Sequence, residues 1–193
     1  MVLDNKKINR LGIACVLICL LVFVPGPNAQ AQNSVDREYR VKAAFIYNFA
    51  RFTAWPDNAF SSPDSPLTIC IYGDDYFGNS FTQFSDKKIK DRKLIIKRTN
   101  TLDGDSPCQI IFISKSEKKF LPQILKKLAG KPVLLISDIK NFADQGGTIG
   151  LFNLDNKIRF TINLDTARDD HLQISSHLLK LGRKVINSKD ERI

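Results

Sequence analysis

The sequence predicts a single-domain α/β sandwich, with a mostly parallel sheet flanked by helices and a C-terminal antiparallel hairpin. Three observations carry this. Short, continuously apolar runs at 67–72 and 133–137 have the composition of strands buried on both faces. Segments with apolar residues at helical spacing lie between such runs. Two β-rich runs, 148–154 and 157–163, flank Asp155-Asn156, a two-residue turn pair.

Taken in order, a helix is expected over 35–53. Tyr39, Ala43, Ile46 and Ala50 form one stripe on it, and Phe45, Phe49 and Phe52 form a second. One core rarely needs two stripes, so this helix is either sandwiched inside the domain or presents its second face to another chain. Trp55-Pro56 stops it, because a residue before proline avoids the α region. A strand at 67–72 closes at Gly73-Asp74-Asp75, and 76–84 reads as a short helix with Phe77, Phe81 and Phe84 on one side. Further strands are expected at 94–97 and 109–114, then an amphipathic helix over 116–129 stopped by Gly130 and Pro132. The run at 133–137 reads as a central parallel strand. In 157–163 Ile158, Phe160 and Ile162 alternate with Arg159, Thr161 and Asn163, so one face should be wet. A last helix is expected over 166–187, with Ile174, Leu178, Leu181 and Val185 as its core stripe and a frayed tail beyond. No repeat or linker divides residues 35–187, which read as one domain.

The first 31 residues read differently. Lys6, Lys7 and Arg10 precede a fourteen-residue apolar run, 11–24, then Pro25-Gly26-Pro27 and Ala29-Gln30-Ala31. A basic start, a short apolar core and an A-x-A site make a cleavable export signal. Fourteen residues fall short of the roughly 20 that span a bilayer. The exported chain is expected to start near Gln32, in the periplasm. Cleavage there removes three basic residues and one acid, leaving +7 of the formal +9. The lysines and arginines are scattered, without the aromatic-rich basic motif of a nucleic-acid binder, so they fit a solvated surface near an anionic envelope. Cleavage also removes Cys15 and Cys19 and leaves Cys70 and Cys108. Two cysteines in an exported chain invite one disulfide, with two separate buried thiols as the alternative.

No catalytic motif stands out. His171 and His177 are six residues apart, so on one helix they face different sides and cannot share a metal. Ser175 and Ser176 lack a positioned base, which excludes a triad. Gly146-Gly147 precedes a strand where a phosphate cradle needs a helix. Asp74-Asp75 and Asp169-Asp170 lack calcium-loop spacing. No cofactor or metal is therefore expected. Arg51, Arg159 and Arg168 remain as candidate contacts for a small anion or an acidic partner.

Several segments together resemble the YfiR-like family of periplasmic proteins. They are Val41-Lys42-Ala43-Ala44-Phe45-Ile46-Tyr47-Asn48-Phe49 with Phe52 and Trp55-Pro56, then Ile69-Cys70-Ile71-Tyr72-Gly73 and Cys108-Gln109-Ile110-Ile111-Phe112-Ile113. Phe142-Ala143, Gly146-Gly147, Arg159–Leu164, Ala167-Arg168 and Ile174-Ser175-Ser176-His177-Leu178-Leu179 continue the match in the same order. The resemblance implies a non-enzymatic α/β regulator that dimerises in the periplasm and represses a membrane diguanylate cyclase through its periplasmic sensor part. An outer-membrane-associated lipoprotein is implied as a competitor for it. The resemblance also places the family's first cysteine pair on Cys70 and Cys108, which strengthens the disulfide reading. Some relatives carry a second pair after the Gly-Gly turn, and residues 142–163 here contain no cysteine. Phe45, Phe49, Phe52 and Trp55 are the candidate partner or dimer surface. A module that binds a small periplasmic ligand at the sheet's C-terminal edge, through the arginines, is the second reading.

Overall fold

The computed structural model describes residues 28–102 and 108–188. The expected export signal falls largely outside the described residues, as does the tail beyond Ser188. The compact unit starts at Val35.

Helix α1 (Asn28–Phe52) begins upstream of the expected start and ends one residue earlier than expected. The chain leaves it at β1 (Thr53–Ala54), before Pro56 would require it, because β1 pairs antiparallel with β9 (Gln173–Ile174). An eight-stranded sheet follows, built from β2 (Leu67–Tyr72), β3 (Lys88–Ile89), β4 (Arg92–Thr99), β5 (Ile110–Ile113), β6 (Leu134–Ser137), β7 (Ile149–Leu154), β8 (Lys157–Asn163) and β10 (Lys184–Ile186). Its order is β10-β8-β7-β6-β5-β2-β4-β3. All pairs are parallel except β7/β8 and β3/β4. The expected α/β architecture is therefore present, and β6 lies between two parallel neighbours. The β7/β8 hairpin turns at Asp155 and Asn156, both at positive φ, as a tight two-residue turn of this hand requires.

The two sheet faces are covered separately. Tyr39, Ala43, Ile46, Phe49 and Ala50 of α1 pack on Leu67, Ile69, Ile110, Phe112, Leu134 and Ile136. On the other face α2 (Leu121–Leu128) buries Leu121, Ile124 and Leu128 against Ile111, Ile113 and Leu135. Cys70 and Cys108 are joined on this second side, with 5.8 Å between their Cα atoms.

Three expected helices differ. Of the one expected over 116–129, only Leu121–Leu128 is α-helical, and Lys115–Phe120 before it is a 3-10 segment. The segment at 76–84 is a chain of i→i+3 turns ending in one 3-10 turn, Thr82–Phe84. Asp75 Oδ1 accepts the Phe77 N–H, and Gly78 sits at φ +48°, which breaks helical continuation. Phe77, Phe81 and Phe84 are buried all the same. The last helix is replaced by α3 (Leu164–Asp169), β9, α4 (Ser176–Leu181) and β10. Asn163 caps α3 by accepting the Thr166 N–H, His171 takes φ +59°, and Ser175 caps α4. Of the expected stripe only Leu178 is buried, while Leu181 is 59 % exposed. Strand β10 then pairs in parallel with β8 and forms one edge of the sheet, so the hairpin lies inside it. Arg159 lies on the wet face of β8 as expected, but Asn163 is buried, its amide donating to Ala143 O at 2.9 Å.

Candidate functional site

A charged cluster is sealed between α1 and the end of β6. Lys42 is 1 % exposed, although it lies among the apolar positions of α1. Such a cation needs direct compensation, because desolvating a lone ammonium costs several kcal/mol. Its Nζ is 2.5 Å from Glu38 Oε1, one turn back, and 2.5 Å from Asp138 Oδ2. It also stands 4.0 Å from the centre of the Tyr39 ring. Tyr39 donates its hydroxyl to Asp138 Oδ2 at 2.9 Å. Burial, and next the Asp138 carboxylate, raise the Tyr39 pKa far above its ordinary value, so this hydroxyl stays a donor. Lys115, following β5, approaches Oδ2 to 3.3 Å from a more than half-exposed position. Asp138 Oδ1 is buried without a hydrogen-bond partner.

Register explains the space beside this cluster. Strand β7 pairs with β6 only at Ile136↔Ile149 and Ser137↔Gly150, so Leu151 onward runs past the carboxyl end of β6. The chain after β6 folds back over this ledge through residues 139–147. Phe142 there is fully buried, and Gly147 is required beneath it, since a Cβ at Gly147 would overlap the Phe142 ring. A cavity of about 560 Å³ remains, lined by Glu38, Lys42, Lys115, Asp138 and Lys140 and, on its apolar side, by Phe142, Leu151 and Phe152. It lies at the carboxyl ends of parallel strands, where open α/β sheets place their ligands.

The residues singled out by sequence are placed elsewhere. Phe49 is 1 % exposed and belongs to the core, so it offers no contact surface. Phe45 is half-buried against Phe160, with ring centres 5.7 Å apart, and Phe52 lies 5.1 Å from His177. Trp55 donates its indole N–H to Gln109 O at 3.0 Å, which ties the end of α1 to the residue after Cys108. What α1 leaves in solvent is a shallow groove of about 440 Å³ along Arg37, Arg40, Val41, Ala44, Phe45 and Asn48. Arg51 lines a pocket of about 270 Å³ with Phe52, Lys90, Gln173 and Ser175, whereas Arg159 and Arg168 are not among its walls. Arg168 is held by Asn187 Oδ1 at 2.8 Å and by Asp165. Tyr39, Lys42 and Asp138 were missed. Their signal was a lysine among the apolar positions of a helix and an aspartate directly after a strand whose other residues, Ser137 apart, are apolar.

Among the described residues, no helix is long and apolar enough to cross a membrane, and no group of three or more His, Cys, Asp or Glu side chains could hold a metal. The fold and site define a disulfide-bonded α/β domain whose charged cavity lacks a recognisable nucleophile–base pair. The chain belongs to the YfiR/HmsC-like family, whose model matches residues 39–183. This is a regulatory family, known in the periplasmic control of cyclic-di-GMP signalling. The Cys70–Cys108 disulfide fits that oxidising compartment.

Proposed function

We propose that this protein is a periplasmic repressor that binds the sensor part of a membrane-anchored diguanylate cyclase and holds the enzyme off. Family membership over residues 39–183 carries the reading. A repressor of this kind needs no active site, only higher affinity for the inactive state of its target. The α1 groove supports it: Val41 is 41 % exposed, beside half-buried Phe45 and the cationic Arg37 and Arg40. An apolar strip with an arginine rim has the composition of a protein-binding surface. The same face serves self-association into a homodimer, and an outer-membrane-associated lipoprotein relieves repression by competing for it.

Deleting the gene should raise cellular cyclic-di-GMP, and the wild-type gene should restore the low level. A Val41→Glu copy, folded and exported, should fail to restore it. An unchanged nucleotide level after deletion would remove the cyclase-repressor reading.

A further inference from the structure

We propose that the outward side of α2, with the 3-10 segment before it, docks on an anionic phospholipid surface. This surface goes beyond repression by protein contact and lies on the sheet face opposite α1. Leu121, Ile124 and Leu128 fix α2 on the sheet, so its other side turns Gln123, Lys126 and Lys127 to solvent. The preceding segment adds exposed Lys118 and Lys119, and exposed Lys131 follows the helix. Phe120 stands between them, 53 % exposed, more than any other aromatic residue described. Among the described residues, Lys118, Lys119, Lys126 and Lys131 have no carboxylate partner. The acids nearby lie at the margins. Glu117 accepts from Ser116, whose Oγ accepts the Asp74 N–H at one end. Asp169 adjoins Asp170, which accepts the Gly130 N–H at the other.

The residue types select the occupant. Protein-binding surfaces favour arginine and are depleted in lysine, whereas residues 115–131 hold six lysines and no arginine. Lysine is a point charge on a flexible stem, which suits a fluid array of phosphates better than a fixed pattern of carboxylates. An exposed phenylalanine among lysines lets a ring enter the headgroup layer while the ammonium groups meet the phosphates. The apolar stripe of α2 is buried in the core, so the helix stays on the surface and only the ring and the charges engage. Each lysine close to such a surface is worth about fivefold in binding, and salt screens the effect.

The test is co-sedimentation of the disulfide-bonded protein with vesicles of phosphatidylglycerol and, in parallel, of phosphatidylcholine. Binding to phosphatidylglycerol should be at least about tenfold tighter, and about 0.5 M salt should release the protein. Lys118→Ala with Lys119→Ala, both exposed, should weaken binding about twentyfold at an unchanged melting temperature. Phe120→Trp should keep the binding, and its fluorescence should shift to the blue on the vesicles. The wild-type protein, with Trp55 as its one tryptophan, should show no such shift. Absence of binding to phosphatidylglycerol overturns the proposal. So does equal binding to phosphatidylcholine, wild-type affinity in the double lysine variant, or an unshifted Phe120→Trp spectrum. Binding to poly-L-glutamate as tight as to the vesicles would mark a site for acidic chains, and it overturns the lipid reading too. These outcomes are independent of the cyclic-di-GMP level after gene deletion, so this surface and the repressor reading fail separately.

Discussion

Lys42 and Asp138, ninety-six positions apart in the chain, meet at 2.5 Å with both side chains closed to solvent. The pair holds α1 against the end of β6. It is also the wall of the charged cavity. Removing the cation alone leaves the Glu38 and Asp138 carboxylates facing each other, with only the more than half-exposed Lys115 and the Tyr39 hydroxyl beside Asp138. Lys42→Met should therefore cost about 3–5 kcal/mol in denaturant unfolding. The double change Lys42→Met with Asp138→Leu removes both buried charges and should recover much of that loss.

The two faces of α1 should respond oppositely to charge. Phe49 is in the core, so Phe49→Glu should destabilise by about 3–5 kcal/mol and lower the yield of folded protein. Val41 is exposed, so Val41→Glu should stay within about 0.5 kcal/mol of wild type while reducing capture of the partner from solubilised membranes.

Asp170 makes stability depend on pH. It is 2 % exposed, and burial raises its pKa from 3.8 to about 6, against the lowering effect of the Gly130 N–H that it accepts. The folded chain thus holds this proton more tightly than the unfolded chain does. Its contribution is fully present below about pH 4 and is lost as the pH rises through about 6. Asp170→Asn should be more stable than wild type by about 1–2 kcal/mol near neutrality, and the gap should close near pH 4. Urea unfolding at the two pH values measures this.

The disulfide closes a long loop, with a sequence separation of 38. Reduction, or Cys70→Ala with Cys108→Ala, should lower stability by about 2–4 kcal/mol, read as a fall in denaturation midpoint. The reduced protein should remain folded, because Cys70 lies inside a strand flanked by two others.

Gly147 should tolerate no side chain. Gly147→Ala drives a methyl group into the Phe142 ring and should destabilise by about 2 kcal/mol or more. Adding Phe142→Leu should relieve part of that strain, which a melting comparison of the single and double variants would show.

Much of the fold was legible in the residues. The apolar runs of β2 and β6, the amphipathic α2 and the Asp155-Asn156 hairpin follow from period and turn chemistry, which are local properties. The end of the chain was not legible. Leu178 and Val185 keep helical spacing, but Asp170 is drawn to Gly130 and Lys184–Ile186 to β8. These attractions come from distant segments, and a periodic pattern does not record them. The site failed for the same reason. Phe49 and Val41 both occupy apolar positions of α1, and only the sheet beneath decides which one is buried.

By itself, the sequence determined the class of fold and the likeness to a periplasmic regulatory family, and it left Cys70 and Cys108 as the two cysteines available to pair. Composition, periodicity and ordered motifs suffice for these. Only the tertiary structure decided that Lys42 is a buried cation and that Asp138 keeps an unmet oxygen beside a cavity. Both depend on α1, β5, β6 and β7 meeting in space, and a charge acquires its energetic meaning from the neighbours that replace its water.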